Sequence, residues 1–119
     1  MKILLVDDWK EIAERWADIL RSKIGNASVT LCHHGDEALE IFKKQGPFDV
    51  VVTDQLHEGL SGVNLVRTVR KRRPKQPCII YTADPLLPEL KKPPCLVVPK
   101  SVRNRYCEEL VEALIRLAN

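Results

Sequence analysis

The chain has 119 residues, of which 45% are hydrophobic and 29% are charged, and its 19 basic and 16 acidic side chains give a formal net charge of +3. This composition is typical of one globular domain rather than of a disordered or membrane-embedded chain, and the small charge does not by itself indicate a nucleic-acid partner. The start, MKILLVDD, meets two acids too early to form a signal peptide or a membrane span, which favours a cytoplasmic protein.

The first half of the chain alternates between strand patterns and helix patterns. Residues 2–7 form a short continuous apolar run, as expected of a strand buried on both faces. Residues 9–24 carry apolar side chains at helical spacing, and a second strand is predicted over residues 28–32. A second helix over residues 35–46 and a third strand over residues 48–54 follow. The order is therefore strand, helix, strand, helix, strand.

The second half continues this alternation. Ser61 is predicted to cap a third helix that Pro74 ends, and a fourth strand is predicted over residues 78–82. A fifth strand is predicted over residues 95–98, and a final amphipathic helix over residues 103–119. Such alternation predicts an α/β fold, a single doubly wound five-stranded parallel sheet with helices on both faces, because right-handed crossovers lay helices over the sheet.

Polar side chains stand where the predicted strands end. Asp7 and Asp8 end the first strand, Asp54 ends the third, Thr82 ends the fourth, and Lys100 follows the fifth. Ligands of open parallel sheets bind beyond the carboxyl ends of the strands, where these five groups are expected to meet.

This set of groups indicates phosphoryl-transfer chemistry. Crowded carboxylates repel one another unless a cation joins them, and an all-oxygen donor set suits Mg²⁺. An ionised Asp54 is placed to attack phosphorus as a nucleophile. Lys100 would neutralise the oxygens of the transferring group, and Thr82 would donate a hydrogen bond to one of them.

The ordered set ILLVDD, VVTD, IIYTA and VVPK resembles the receiver domain of two-component response regulators, and the resemblance covers residues 1–119 as one receiver domain. It implies the chemotaxis-regulator fold, with strand order 2-1-3-4-5. It implies that Asp54 is the phosphoacceptor and that Thr82 and Lys100 contact the phosphoryl group. The other implied contacts are Mg²⁺ ligation by Asp7, Asp8, Asp54 and the carbonyl of Leu56, and phosphate contacts from the backbone of Gln55 and Ala83.

The resemblance also implies partners. A histidine kinase or a histidine phosphotransfer protein would supply the phosphoryl group, and a downstream protein of unknown identity would read the phosphorylated state. Hydrolysis would reset the switch, and turnover of a separate substrate is not expected. The basic stretch RTVRKRRPK is interpreted as a solvated helix end, so direct nucleic-acid binding is not predicted.

Two regions depart from the receiver pattern. Residues 83–95 contain Pro85, Pro88, Pro93 and Pro94, so the helix that receivers place before the fifth strand is expected to be short or absent, with at most one turn near residues 87–91. Val97 stands where receivers commonly have a switching aromatic residue, so output through the usual fourth-helix surface is not expected. The loop after Asp54 carries His57 and Glu58 in place of the usual methionine and proline.

Two other functions stay open at this point. The first is a degenerate receiver that keeps the geometry and binds a protein partner without phosphorylation. The second is a doubly wound hydrolase with an aspartyl nucleophile, but such phosphatases typically carry a DxD pattern on the first strand, where this chain has adjacent acids at Asp7 and Asp8. The four cysteines lack a CxxC pair and are interpreted as reduced core thiols.

Overall fold

The structure is a computed structural model and describes residues 1–55, 59–100 and 107–118. The described residues form five strands, four α-helices and one short 3₁₀ helix. In chain order these are β1 Lys2–Val6, α1 Lys10–Lys23, β2 Ser28–Cys32, α2 Gly35–Gln45, β3 Val50–Thr53, α3 Gly62–Arg72, β4 Cys78–Thr82, the 3₁₀ helix Pro88–Leu90, β5 Leu96–Pro99 and α4 Glu108–Ala118.

The five strands form one parallel sheet in the order β2-β1-β3-β4-β5. This confirms the predicted α/β class and strand order. The central strands are buried on both faces, which explains why they read as continuous apolar runs rather than alternating ones. No helix among the described residues is both long and apolar enough to cross a membrane.

Alternate residues of the strands feed two separate cores, one on each face of the sheet. On one face, side chains of β1, β3, β4 and β5, such as Leu5 and Tyr81, pack against α1 and α4. On the other face, side chains such as Leu4 and Ile80 pack against α2, α3 and Leu90 of the 3₁₀ helix. A strand's side chains point to opposite faces in turn, so each strand serves both layers.

The N-terminus of α3 is fastened to the end of β3. The Ser61 hydroxyl accepts a hydrogen bond from the Asn64 N–H at 3.3 Å, as the sequence predicts. The buried Gln55 side chain adds a second cap, since its Oε1 accepts from the Val63 N–H at 2.8 Å. The Gly62 N–H donates to the Gln55 carbonyl at 3.0 Å. Three backbone donors of the first turn are thereby satisfied.

The segment between β4 and β5 contains one 3₁₀ turn where a crossover helix was expected to be short or absent. Pro88 begins this turn, a position at which proline loses no helical hydrogen bond. Leu90 enters the sheet core and is 6% exposed, with half-buried Leu87 beside it. The prediction of a single turn near residues 87–91 is confirmed.

Helix α4 begins later than predicted. The sequence pattern indicates a helix from residue 103, whereas α4 begins at Glu108. The reason is Cys107, whose φ of 53° is left-handed and cannot continue a right-handed helix backwards. Residues 103–106 lie outside the described residues. All four cysteines are free thiols, and Cys95 is less buried than Cys32, Cys78 and Cys107.

Candidate functional site

The ends of β1 and β3 place two acids side by side at one edge of the sheet. Asp7 and Asp54 directly follow these two neighbouring strands. The Asp54 N–H donates to the Val6 carbonyl at 3.0 Å, so backbone pairing continues past the last strand residue. On the other side of β1, the Asp7 N–H donates to the Cys32 carbonyl at 2.9 Å. The backbone therefore fixes both carboxylates at the carboxyl edge, where the sequence placed them.

Three carboxylates gather there with graded exposure. Asp7 is buried, Asp54 is half-buried and Asp8 is exposed, and one oxygen from each lies within 4.8 Å of the others. Together with the single ammonium group of Lys100, three carboxylates leave two formal negative charges. A hard divalent cation that prefers oxygen ligands and keeps several waters fits this donor set, and Mg²⁺ is such a cation.

Lys100 links Asp7 and Asp54. Its Nζ lies 2.7 Å from Asp7 Oδ2 and 3.0 Å from Asp54 Oδ2. Its side chain is only 14% exposed. The backbone N–H of Lys100 donates to the Thr82 carbonyl at 2.7 Å, which anchors the residue at the end of the β4–β5 pair. Such a charge-assisted arrangement is stronger than a surface ion pair because it is partly shielded from water.

Asp54 presents two differently held oxygens. Its Oδ1 accepts from the Gln55 backbone N–H at 2.7 Å, and its Oδ2 accepts from Lys100. The side chain remains 17% exposed, so one side of the carboxylate is open to solvent. Gly62, the first residue of α3, packs against the backbone of Asp54 and Gln55. A Cβ added at Gly62 would meet the Asp54 carbonyl oxygen and lie 2.9 Å from Gln55 Cα.

The remaining predicted site residues have mixed positions. Thr82 is buried at the end of β4, and its hydroxyl oxygen accepts from the Asp84 N–H at 3.2 Å. Ala83 is exposed at the start of the following loop. Leu56, predicted to supply a metal ligand, lies outside the described residues, as do His57 and Glu58. The structure thus brings Asp7, Asp8, Asp54 and Lys100 together and leaves the Thr82 hydroxyl engaged with its own loop.

Two neighbours of the acids were not singled out as ligands by the sequence. A His33 ring nitrogen, Nδ1, lies 2.7 Å from the Asp7 carbonyl oxygen, which ties the loop after β2 to the site. Trp9 is 64% exposed, while its backbone N–H donates to Asp7 Oδ1 at 2.9 Å. Trp9 is near the acids because it directly follows Asp8 in the sequence, whereas only the fold brings His33 to them.

Two aromatic rings also approach Lys100, and the sequence indicated both only as core or strand residues. Its Nζ lies 4.6 Å from the centre of the Trp16 ring and 5.5 Å from that of Tyr81. Burial raises the pKa of the Tyr81 hydroxyl well above its usual value, with Cys107, its hydrogen-bonding neighbour, adding to the effect. Burial likewise raises the pKa of Cys107 to about 11. Both groups are therefore uncharged at neutral pH.

Comparison with known proteins identifies the family to which this chain belongs. A family model described as the response regulator receiver domain matches residues 3–92. Chemotaxis protein CheY-3 of Vibrio cholerae is 32% identical over 113 residues, which cover 95% of this chain and 72% of that protein. A response regulator receiver protein of an Anaeromyxobacter strain is 34% identical over 82 residues, covering 69% of this chain and 33% of the relative. The chain thus spans about a third of that relative's length.

A solved structure gives the same result. The response regulator TrrA from Thermotoga maritima, in complex with Mg²⁺ and beryllium fluoride, superposes with a TM-score of 0.83. It is 27% identical, and the match covers 98% of this chain and 97% of that one. By its matching family model, its relatives and its fold, this chain belongs to the response regulator receiver domain family of two-component signalling.

Proposed function

We propose that Asp54 of this domain accepts a phosphoryl group from a histidine kinase or a histidine phosphotransfer protein, and that the domain acts as a signalling switch or relay. The observation that carries the proposal is the pair of Asp54 contacts, with Oδ1 held by the Gln55 N–H and Oδ2 held by Lys100. A fixed, partly exposed carboxylate at the ligand-binding edge of a parallel sheet is suited to in-line attack on phosphorus.

The transfer forms a bond between an Asp54 oxygen and phosphorus and breaks the bond between phosphorus and the donor's imidazole nitrogen. The imidazole leaves with the electrons of that bond and takes up a proton. Lys100 neutralises negative charge on the oxygens around phosphorus, and positioning with charge compensation supplies most of this kind of catalysis. The Thr82 hydroxyl accepts from Asp84 N–H, and its own hydrogen is available for a phosphoryl oxygen.

Asp7, Asp8, Asp54 and the carbonyl of Leu56 are the proposed Mg²⁺ ligands, and backbone N–H groups of Gln55 and Ala83 are the proposed phosphate contacts. The three carboxylate oxygens within 4.8 Å of one another support the first part of this set. When bound, Mg²⁺ would supply positive charge to the phosphoryl oxygens. The donor atoms are hard oxygens, which suit this ion better than a thiolate-preferring metal.

The proposal extends to the context of the domain. Residues 1–119 are proposed to act as one cytoplasmic receiver domain without direct nucleic-acid contact or a membrane partner. A downstream protein is proposed to recognise the phosphorylated state.

The second candidate is a degenerate receiver that binds a protein partner without phosphorylation. Residues 83–95 favour it, because they replace a crossover helix of the family by one 3₁₀ turn. Val97 favours it as well, since β5 carries no aromatic side chain at that position. The acid edge favours phosphorylation, because a binding module has no need of a half-buried carboxylate held by an ammonium group.

Intact mass measured after incubation with acetyl phosphate separates the two functions. With Mg²⁺ we expect one added phosphoryl group, and we expect none without Mg²⁺ or in Asp54→Asn. Asp18→Asn, which removes an exposed carboxylate of α1, is the matched control and is expected to behave like the wild type. Absence of added mass in the wild type, with calorimetry showing no Mg²⁺ binding, would favour the degenerate receiver.

A further inference from the structure

Lys100 is held by more than its two carboxylates. Its ammonium group lies 4.6 Å from the centre of the Trp16 ring and 5.5 Å from the centre of the Tyr81 ring. The two rings meet edge to face, with their centres 5.2 Å apart and their planes inclined by 70°. Cations within about 6 Å of an aromatic centre are attracted by the negative face of the ring. Carboxylates and rings thus form one enclosure around the ammonium group.

The two rings are themselves fixed by the core on the α1 and α4 face. Tyr81 is buried within that core, and its hydroxyl is hydrogen-bonded to Cys107 at the start of α4. Trp16 is half-buried on α1 and packs against the same core. Aromatic rings locked in this way lose little further freedom when they contact a cation. They are therefore a rigid wall for the flexible lysine stem.

The rings provide a contact that does not depend on the acids. When a divalent cation binds to the three carboxylates, it repels the nearby ammonium group and competes for the same oxygens. The divalent cation binds carboxylate oxygens and not the rings of Trp16 and Tyr81. The attraction between these rings and Lys100 therefore persists when the cation is bound. Since lysine has a long stem with several rotatable bonds, a second contact of this kind restricts where the ammonium group can lie.

Given the proposed phosphoryl transfer, on which this inference depends, we propose that Trp16 and Tyr81 are positioning residues that hold Lys100 against Asp7 and Asp54. They act through Lys100 and are proposed to supply no ligand to the metal and no group to the phosphodonor. The pair lies on the face of the sheet opposite Val97 and the proline-containing segment. Lys100 is therefore restrained from the α1 and α4 side of the domain.

The first test uses proton and carbon chemical shifts of lysine side chains in the metal-free protein. Protons above an aromatic ring face are shielded, so the ε-CH₂ signal of Lys100 is expected upfield of the lysine signals other than that of Lys2, whose Nζ lies 4.7 Å from the centre of the Phe48 ring. The signal is assigned by its loss in Lys100→Arg. In Trp16→Leu we expect it to move towards the unshielded lysine signals, with the Tyr81 ring keeping a smaller part of the shift, and in Trp16→Phe to remain upfield. A wild-type Lys100 signal among the other lysines would overturn the inference.

The second test is the rate of phosphorylation by acetyl phosphate with saturating Mg²⁺. Loss of a partly desolvated cation–π contact corresponds to a rate about tenfold lower, which we expect for Trp16→Leu. Trp16→Phe, which keeps a ring, is expected to recover most of the rate. Ile19→Ala removes apolar volume from the same helix and the same core, and is expected to stay within about twofold of the wild type.

The outcomes separate the inference from the proposed function. If the wild type gains no phosphoryl group, the proposed function fails, and the lysine chemical shifts still decide whether the rings hold Lys100. If the wild type is phosphorylated and Trp16→Leu matches its rate, the positioning role alone is overturned. A rate in Ile19→Ala as low as that in Trp16→Leu would show a general packing effect and would also overturn it.

Discussion

Two of the connections that cover the α2 and α3 face of the sheet are built very differently. Between β3 and β4 the chain forms α3, which contributes Val63, Leu65, Val66 and Val69 to the core. Between β4 and β5 it forms a single 3₁₀ turn, from which Leu90 is the buried contribution. One connection is a helix with a capped N-terminus. The other is a short turn between prolines that buries one leucine side chain.

The difference shows how little of the acid edge depends on the second connection. Asp7, Asp8 and Asp54 are placed by β1 and β3, and Lys100 is placed by the end of β5. The segment over residues 83–95 needs only to deliver β5 in register with β4, and the pairing of Tyr81 with Val98 shows that it does. The chain thus keeps the acid edge, for which we propose phosphoryl transfer, and replaces the helix before β5 by one 3₁₀ turn.

The largest expected effect tests whether the remodelled connection still delivers a working lysine. We expect Lys100→Met to lower the phosphorylation rate at least about a hundredfold, because it removes a charge aimed at the transferring group. Rates with acetyl phosphate measure this, and Lys75→Met, an exposed lysine beyond α3, is the control. A Lys100→Met rate within about threefold of the wild type would mean that β5 does not bring its lysine to the reaction.

The next prediction compares the stability that each connection contributes, by replacing one buried leucine with alanine in each. Leu65→Ala in α3 is expected to lower the free energy of unfolding by about 3 kcal/mol, as for a fully buried leucine. Leu90→Ala is expected to cost about 2 kcal/mol, because its irregular surroundings can relax into the cavity. Urea unfolding of both variants measures the difference. A cost below about 0.5 kcal/mol for Leu90→Ala would show that the segment does not cover the sheet in solution.

A third prediction concerns the close contact between α3 and Asp54. Gly62→Ala would place a Cβ 2.9 Å from Gln55 Cα and against the Asp54 carbonyl oxygen, so backbone must move. We expect a loss of about 1–3 kcal/mol in the free energy of unfolding. Gly25→Ala, where the added Cβ meets nothing within 4 Å, is the matched control and is expected to change little. Equal free energies of unfolding for the two variants would contradict the close packing of Gly62 against the backbone of Asp54 and Gln55.

The smallest expected effect is on the alkylation of cysteine thiols near the connection between β4 and β5. Burial raises the pKa of Cys95 from 9.0 to about 11 and that of Cys78 to about 12. A pKa above the usual value lowers the thiolate fraction at pH 8, about a hundredfold for Cys95. Alkylation by iodoacetamide is therefore expected to be slow, with half-buried Cys95 modified before Cys32, Cys78 and Cys107. Peptide mass analysis gives the order, and Cys78 reacting first would show that the cover over β4 opens.

The fold was predictable because its signals are local. Apolar runs at β1, β3 and β4 indicate strands buried on both faces, and Pro85 to Pro94 rule out a long helix without any structural information. The start of α4 was predicted too early because the periodic apolar pattern continues through Cys107. Its left-handed φ depends on the tertiary packing at that point and leaves no mark in the spacing.

The acids of the site were predictable because parallel strands bring their ends to one edge. The partners of Lys100 on its other side were not. Trp16 read as one of several apolar residues on a helix, and Tyr81 as a strand residue before Thr82. Only the packing of α1 on β4 brings both rings to the ammonium group. Likewise, nothing in the spacing of Gln55 indicated that its side chain caps α3.

The most direct test of the central claim is to locate the phosphoryl group. Acyl phosphates are reduced by borohydride to alcohols, so a phosphorylated aspartate becomes homoserine, which peptide mass spectrometry can place in the sequence. After phosphorylation with acetyl phosphate and Mg²⁺, we predict homoserine at position 54 alone. Homoserine at Asp7 or Asp8 with Asp54 unchanged, or no homoserine at all, would contradict the assignment of Asp54 as the phosphoacceptor.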